Sequence, residues 1–154
     1  MTTPYKPMIY HSTRFPHPEV LCLDKYHNYD FLIVNMGTHP TAYVRIPKTH
    51  PFYQTFYDYI NPEPVGFEAG PFTFSRNSSE FASYLDTPIP NGWYLGWDYA
   101  HIGDFIGGHS DRYPYSSVRK YITEDIIADC KYIINYLLEN KNVTRSEEKT
   151  NSNL

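Results

Sequence analysis

The clearest element of this chain repeats its apolar side chains at helical spacing over several turns. Ile126, Ile127, Cys130, Ile133, Ile134, Leu137 and Leu138 recur every few residues, which places them on one stripe of an α-helix. Thr123 precedes the run as a cap, and Glu124 and Asp125 put negative charge at the positive end of the helix dipole. The spacing predicts a helix over 123–139 with one face to bury. Elsewhere the apolar residues alternate or run in short blocks between prolines and glycines, which is the pattern of strands. Phe31 to Met36 reads as a strand that ends at Gly37. Ala42, Val44 and Ile46 alternate with Tyr43 and Arg45 until Pro47 stops them. From Trp93 to Tyr99, Trp93, Leu95 and Trp97 point one way, and Tyr94, Gly96 and Asp98 the other. One amphipathic helix packed on a mostly antiparallel sheet makes a single α+β domain.

The other segments constrain less. Val65 and Phe67, then Phe72 and Phe74, flank Ala69-Gly70-Pro71 as a hairpin with Glu68 near its tip. Residues 51–60 fit either a short helix or an extended segment, and the type of FASYL at 81–85 is left open. Pro4, Pro7, Pro16 and Pro18 make residues 1–20 a surface arm, with MIYHS at best a short edge strand. The domain proper is expected at 21–140. Residues 141–154 are a polar tail with little to bury, expected to be disordered.

Composition narrows the function. A chain of 154 residues fits one domain. Sixteen tyrosines are too many for one core, and Tyr pairs an apolar face with a hydroxyl that seeks a partner. Several are therefore expected in a pocket or at an interface. The formal charge of -4 comes with no basic stripe, so no direct nucleic-acid groove is expected. The opening residues have no signal-like apolar region, and no apolar run nears about eighteen residues, so neither export nor a membrane span is expected. Cys22 and Cys130 stand far apart. Read as free thiols, they suit a reducing cytoplasm.

Two constellations carry possible chemistry. Asp98, His101 and Asp104 surround the end of the 93–99 strand, where Gly103 turns the chain back. A histidine between two carboxylates serves as a general base, as part of a divalent metal site, or as a satisfied structural network. The second is Tyr43, Arg45, Lys48 and His50, an aromatic ring, a guanidinium and two further cationic or donor groups at one strand end. Arg recognises carboxylate or phosphate in bidentate fashion. Tyr43, Tyr94, Trp93 or Trp97 would supply a stacking surface, and Glu68 a carboxylate. The structural alternative pairs Arg45 with Glu68 or Asp98 across the sheet. Gly96, in mid-strand, marks a place where something approaches the backbone. Phosphate-loop, dinucleotide, zincin and nucleophile-elbow motifs are absent from the sequence.

The blocks YVRIPKTHPFY at 43–53, GFEAGPFTFS at 66–75 and WYLGWDYAHIGDF at 93–105 resemble those of a group of small uncharacterised bacteriophage and prophage proteins. Its members pair YVxIPKxHPxY with a glycine-rich aromatic hairpin and WxxGxDxAHxGD. The resemblance covers roughly residues 30–138, and it departs at Arg45 and Thr49, where glycine is usual, and in having GFEAGPFTFS where a His-Gly-Gly is commoner. It implies a phage or prophage accessory protein, expected in the host cytoplasm, with no established activity; by analogy with other phage accessory proteins of this size, an anti-defence role that binds a host protein or a signalling nucleotide is expected. Two readings follow. The favoured one is a binding module for a small anionic or nucleotide-like ligand or a host protein, without cofactor and open to homodimerisation, using Tyr43, Arg45, Lys48, His50, Glu68, Tyr94 and Trp97. The alternative is a metal-assisted phosphoester hydrolase acting on nucleotides through Asp98, His101 and Asp104. A small-ligand site predicts a hollow between the ends of strands 42–46 and 93–99; a protein-binding site predicts a flat aromatic patch.

Overall fold

The computed structural model describes residues 4–60, 71–101, 103–108 and 118–142. Five strands, β1 (Glu19–Tyr26), β2 (Tyr29–Asn35), β3 (Pro40–Ile46), β4 (Phe74–Asn77) and β5 (Trp93–Asp98), form one antiparallel sheet in the order β1-β2-β3-β5-β4. One helix, α1 (Thr123–Glu139), packs on it. The α+β architecture is the one expected from the helical stripe and the alternating blocks.

The sheet is buried on both faces, and the two faces are covered differently. On the helix side, Phe31, Ile33, Ala42, Val44, Ile46, Leu95 and Trp97 meet Ile126, Cys130, Ile133, Ile134 and Leu137 of α1. On the other side, Val20, Leu32, Val34, Tyr43 and Tyr94 lie under Phe74, Phe81, Leu85 and Ile89. The last three come from the strap between β4 and β5, which holds two short 3₁₀ turns, Ser78–Glu80 and Ala82–Tyr84. Asn77 caps the first of these: its side chain accepts from Ser79 N at 3.0 Å, and Glu80 accepts from Asn77 N at 3.2 Å.

Strand β1 lies mostly within the span expected to open the domain, yet its residues do not alternate. A bulge between Val20 and Cys22 shifts the register against β2. It leaves Leu21 and Cys22 both in the helix-side core, with Val20 and Leu23 in the other. The β1–β2 hairpin turns through His27 and Asn28, at φ 49° and 66°. Two consecutive positive φ values are the signature of a hairpin turn whose twist matches its strands.

The arm before β1 is fastened at both ends of its course. Lys6 N donates to Leu21 O at 2.8 Å, and His11 N donates to Gly37 O at 2.7 Å. Tyr10 exchanges bonds with Tyr121, its hydroxyl donating to Tyr121 O and accepting from Tyr121 N. Thr123, read from the sequence as the helix cap, occupies the first helical turn instead and donates from Oγ1 to Lys6 O at 2.7 Å. Ile122 takes the capping position, and its amide is satisfied by Asp125 at 3.2 Å. The 51–60 segment resolves into turns and a 3₁₀ turn at Tyr57–Tyr59. Of the expected hairpin over 65–75, positions 65–70 lie outside the described residues, and Phe74–Asn77 pairs with β5. In the expected 141–154 tail, 141 and 142 form a turn and the rest lies outside the described residues.

Ile134 is fully buried between α1 and the sheet. Ile134→Asp leaves a charge without a partner in that seam, and the destabilisation is expected to reach or exceed the roughly 4 kcal/mol that marks exceptional single substitutions. Asn135→Asp, on the exposed side of the same turn, is expected to change stability by less than about 0.5 kcal/mol in the same urea titration.

Candidate functional site

The antiparallel pairing of β3 and β5 brings the end of one strand beside the start of the other, with Ile46 opposite Trp93 and Arg45 opposite Tyr94. Here a hollow of about 390 Å³ opens, lined by Arg45, Ile46, Lys48, Tyr53, Asn77, Asn91 and Gly92. Of the residues expected from the sequence to bind a ligand, Arg45 and Lys48 line it.

Arg45 is held in place from two directions. Its Nε donates to Asn91 O at 2.7 Å, and a guanidinium nitrogen lies 3.5 Å from Asp30 on β2. Asp30 is a buried carboxylate, and Lys25 approaches it at 3.3 Å from β1. Of the described residues, Asp30 rather than Asp98 is the ion-pair partner of Arg45. Gly92 is required beside it, because a Cβ there would run into Arg45 Nε. Lys48 is exposed at the rim and makes no ion pair among the described residues. Two cations therefore share the hollow, one held by partners and one exposed, and Asn77 and Asn91 also line it.

The aromatic residues expected at the site are placed elsewhere. Tyr43 lies directly across from Gly96, and a Cβ on Gly96 would come within 2.5 Å of its ring. What approaches the mid-strand glycine is therefore the protein's own tyrosine. Tyr43 also stacks on Phe81 with centroids 5.6 Å apart and meets Phe74 edge-on at 5.0 Å. Its hydroxyl accepts from Thr41 at 3.0 Å, and burial raises its pKa. Tyr94 is fully buried and donates to Pro90 O at 2.7 Å; burial, and then the Asp30 carboxylate, push its pKa up. Trp97 faces α1, where its Nε1 donates to Tyr99 Oη at 3.0 Å and Tyr99 donates to Asp129 at 2.7 Å. His50 is buried against the C-terminal end of α1 rather than in the hollow. Glu68 lies outside the described residues.

Asp98, His101 and Asp104 do gather, at the opposite end of β5, roughly 17 Å away at about 3.3 Å per residue. His101 Nε2 is 3.7 Å from Asp98 and Nδ1 is 3.7 Å from Asp104. Both carboxylates also serve the turn: Asp98 accepts from Ala100 N at 3.1 Å and from Thr73 at 3.3 Å, and Asp104 accepts from His101 N at 3.1 Å. Among the described residues, no group of three or more His, Cys, Asp or Glu side chains is arranged to hold a metal ion. No helix of the described chain is long and apolar enough to cross a membrane.

Tyr53, Asn77, Asn91 and Asp30 were not singled out from the sequence. Asn91-Gly92 before a strand was the available signal, since such a pair lets another group pass close to the backbone. Comparison with protein families, characterised proteins and solved structures returned no match.

The Tyr43–Gly96 fit is testable by a double-mutant cycle. Gly96→Ala is expected to cost about 1–3 kcal/mol by overpacking. Adding Tyr43→Leu is expected to recover part of that loss, and purely additive denaturation energies would show that the ring does not set the tolerance of position 96.

Proposed function

We propose that the protein is a binding module that holds a small anionic ligand in the hollow between β3 and β5. The observation that carries this reading is the placement of Arg45 and Lys48 on one hollow of about 390 Å³, with Arg45 fixed by Asn91 O and Asp30. A guanidinium that is already oriented loses little freedom on binding and offers its remaining donors to a carboxylate or phosphate. Lys48 adds a mobile point charge. Asn77 and Asn91 supply neutral donors and acceptors, and Tyr53 a ring, for whatever part of the ligand follows its charged group. The resemblance to small phage and prophage proteins extends the proposal to a host metabolite or signalling nucleotide as the natural anion. The hydrolase reading has less support: the carboxylates beside His101 are engaged in the turn that positions them.

The test is calorimetric titration of the protein with sulfate, inorganic phosphate and nucleoside monophosphates. Saturable binding of at least one is expected. Lys48→Gln is expected to weaken it by about 1.5–3 kcal/mol, the scale of a hydrogen bond to a charged group, with an unchanged melting temperature because Lys48 is exposed. Arg45→Ala is expected to lower both affinity and stability, since it leaves the buried Asp30 with Lys25 alone. Absence of saturable anion binding, or an affinity indifferent to Lys48, overturns the proposal.

A further inference from the structure

The loop from Pro47 to Tyr53 carries two of the hollow's lining residues, Lys48 and Tyr53, and its midpoint is His50, only 5% exposed. The two ring nitrogens of His50 have opposite tasks. Nε2 lies 2.8 Å from Leu137 O, a carbonyl that can only accept. Nδ1 accepts from Phe52 N at 3.0 Å, a backbone amide that can only donate. These partners admit one state of the ring, neutral with its proton on Nε2. The loop's backbone is built around the same residue: His50 N donates to Pro47 O, and Tyr53 N donates to His50 O, both at 3.0 Å.

We propose that His50 is a positioning residue: its ring, tied through Nε2 to the end of α1, holds Lys48 and Tyr53 at the hollow by accepting from Phe52 N at Nδ1, which it can do only while it is neutral. A second proton would go to Nδ1, which then faces the Phe52 N–H donor to donor. The bond that sets the turn into Phe52 and Tyr53 is lost, and a charge is left in a buried place. Burial lowers the ring's proton affinity and the Leu137 bond partly restores it.

The titratable groups that face the ring are tyrosines. Tyr29 of β2 lies edge-on at 6.5 Å, and Tyr136 of α1 is reached through Phe52, whose ring is 4.9 Å from His50 and 6.4 Å from Tyr136. Neither gains charge between pH 5 and 8. Lys48 on the loop and Glu139 on α1 are exposed, so among the described residues the ring has no buried counter-ion to hold its positive form. The sign follows: with the folded pKa below the unfolded value of about 6.5, the stabilisation is fully present above that pH and is lost as pH falls below it. His39 is also lowered, by burial first, but it sits before β3, at the far end from the hollow.

The role of the loop in binding rests on the anion-site reading, and the following experiment separates the two. Nuclear magnetic resonance of the ring nitrogens is expected to show the Nε2–H tautomer at pH 7.5. On acidification, the Phe52 amide and the Lys48 and Tyr53 signals are expected to shift together with His50, at a midpoint below about 6.5. His50→Asn keeps an acceptor near the Nδ1 position and does not titrate; in that variant the Lys48 and Tyr53 signals are expected to hold still over the same range. The opposite tautomer, or loop signals that ignore His50 protonation in the wild type, overturns the proposal whatever the variant does. Sulfate, whose charge is constant from pH 7.5 to 5.5, is the binding probe. Release of nine in ten loops is expected to weaken it about tenfold; an unchanged sulfate affinity with the loop released also overturns the proposal. If sulfate fails to bind even at pH 7.5, the anion-site reading falls, and the resonance titration alone decides whether His50 locks the loop.

Discussion

A five-stranded sheet presents two faces to water, and the described residues supply one α-helix with which to cover them. That mismatch governs the rest of the structure. The helix takes one face with a seam of Ile, Leu and Cys side chains. The second face is closed by an irregular strap, and large rings pack beneath it: Tyr43, Phe74 and Tyr94 of the strands and Phe81 of the strap meet at centroid distances of 5.0–5.6 Å, mostly edge to face. Rings suit this task because each removes a large area from water while fixing only a few torsions. Part of the chain's high tyrosine content is therefore spent on packing.

The same requirement shapes the hollow. For the strap to return into β5, it must descend past the end of β3, and Asn91-Gly92 is where it does so. Arg45, on the strap side of β3, meets that descending backbone and is fastened to it. Asp30 and Lys25 continue the charge series across two further strands, so the guanidinium is oriented by the sheet and the strap together. The cation at the base of the hollow is in this sense a by-product of closing the second core.

The helix and the strands near 42–46 and 93–99 were legible in the sequence because each keeps one period for its whole length, and the strand near 31–36 because it is a compact apolar run ended by Gly37. Strand β1 was not, because the bulge at Val20–Cys22 sends consecutive apolar residues to one side. Arg45 and Lys48 were legible as neighbours, since a strand end followed by Pro47 leaves few places for them to go. The roles of Tyr43, Tyr94 and Trp97 were not: alternation reports that a ring faces one side of a sheet, but not whether another segment covers that side. Gly96 shows the same limit, for a missing side chain announces a close approach without naming what approaches. His50 was read as a ligand donor from its position after Lys48, whereas α1 reaches it from 87 residues away, a pairing no local pattern encodes.

The fastening of the arm has a consequence for how the molecule comes together. Tyr10 meets Tyr121 and Lys6 meets Thr123, contacts that span 111 and 117 residues. Closing so long a loop adds little free energy over a shorter one, because the entropic cost grows only with the logarithm of length. It does impose an order in time. The bonds of Tyr10 and Lys6 to the start of the helix cannot form until residues 121–123 have been synthesised, whereas the arm's bonds to Leu21 and Gly37 can form earlier. Non-local contacts of this kind slow folding, and they join the arm's near-in-sequence bonds to the start of the helix.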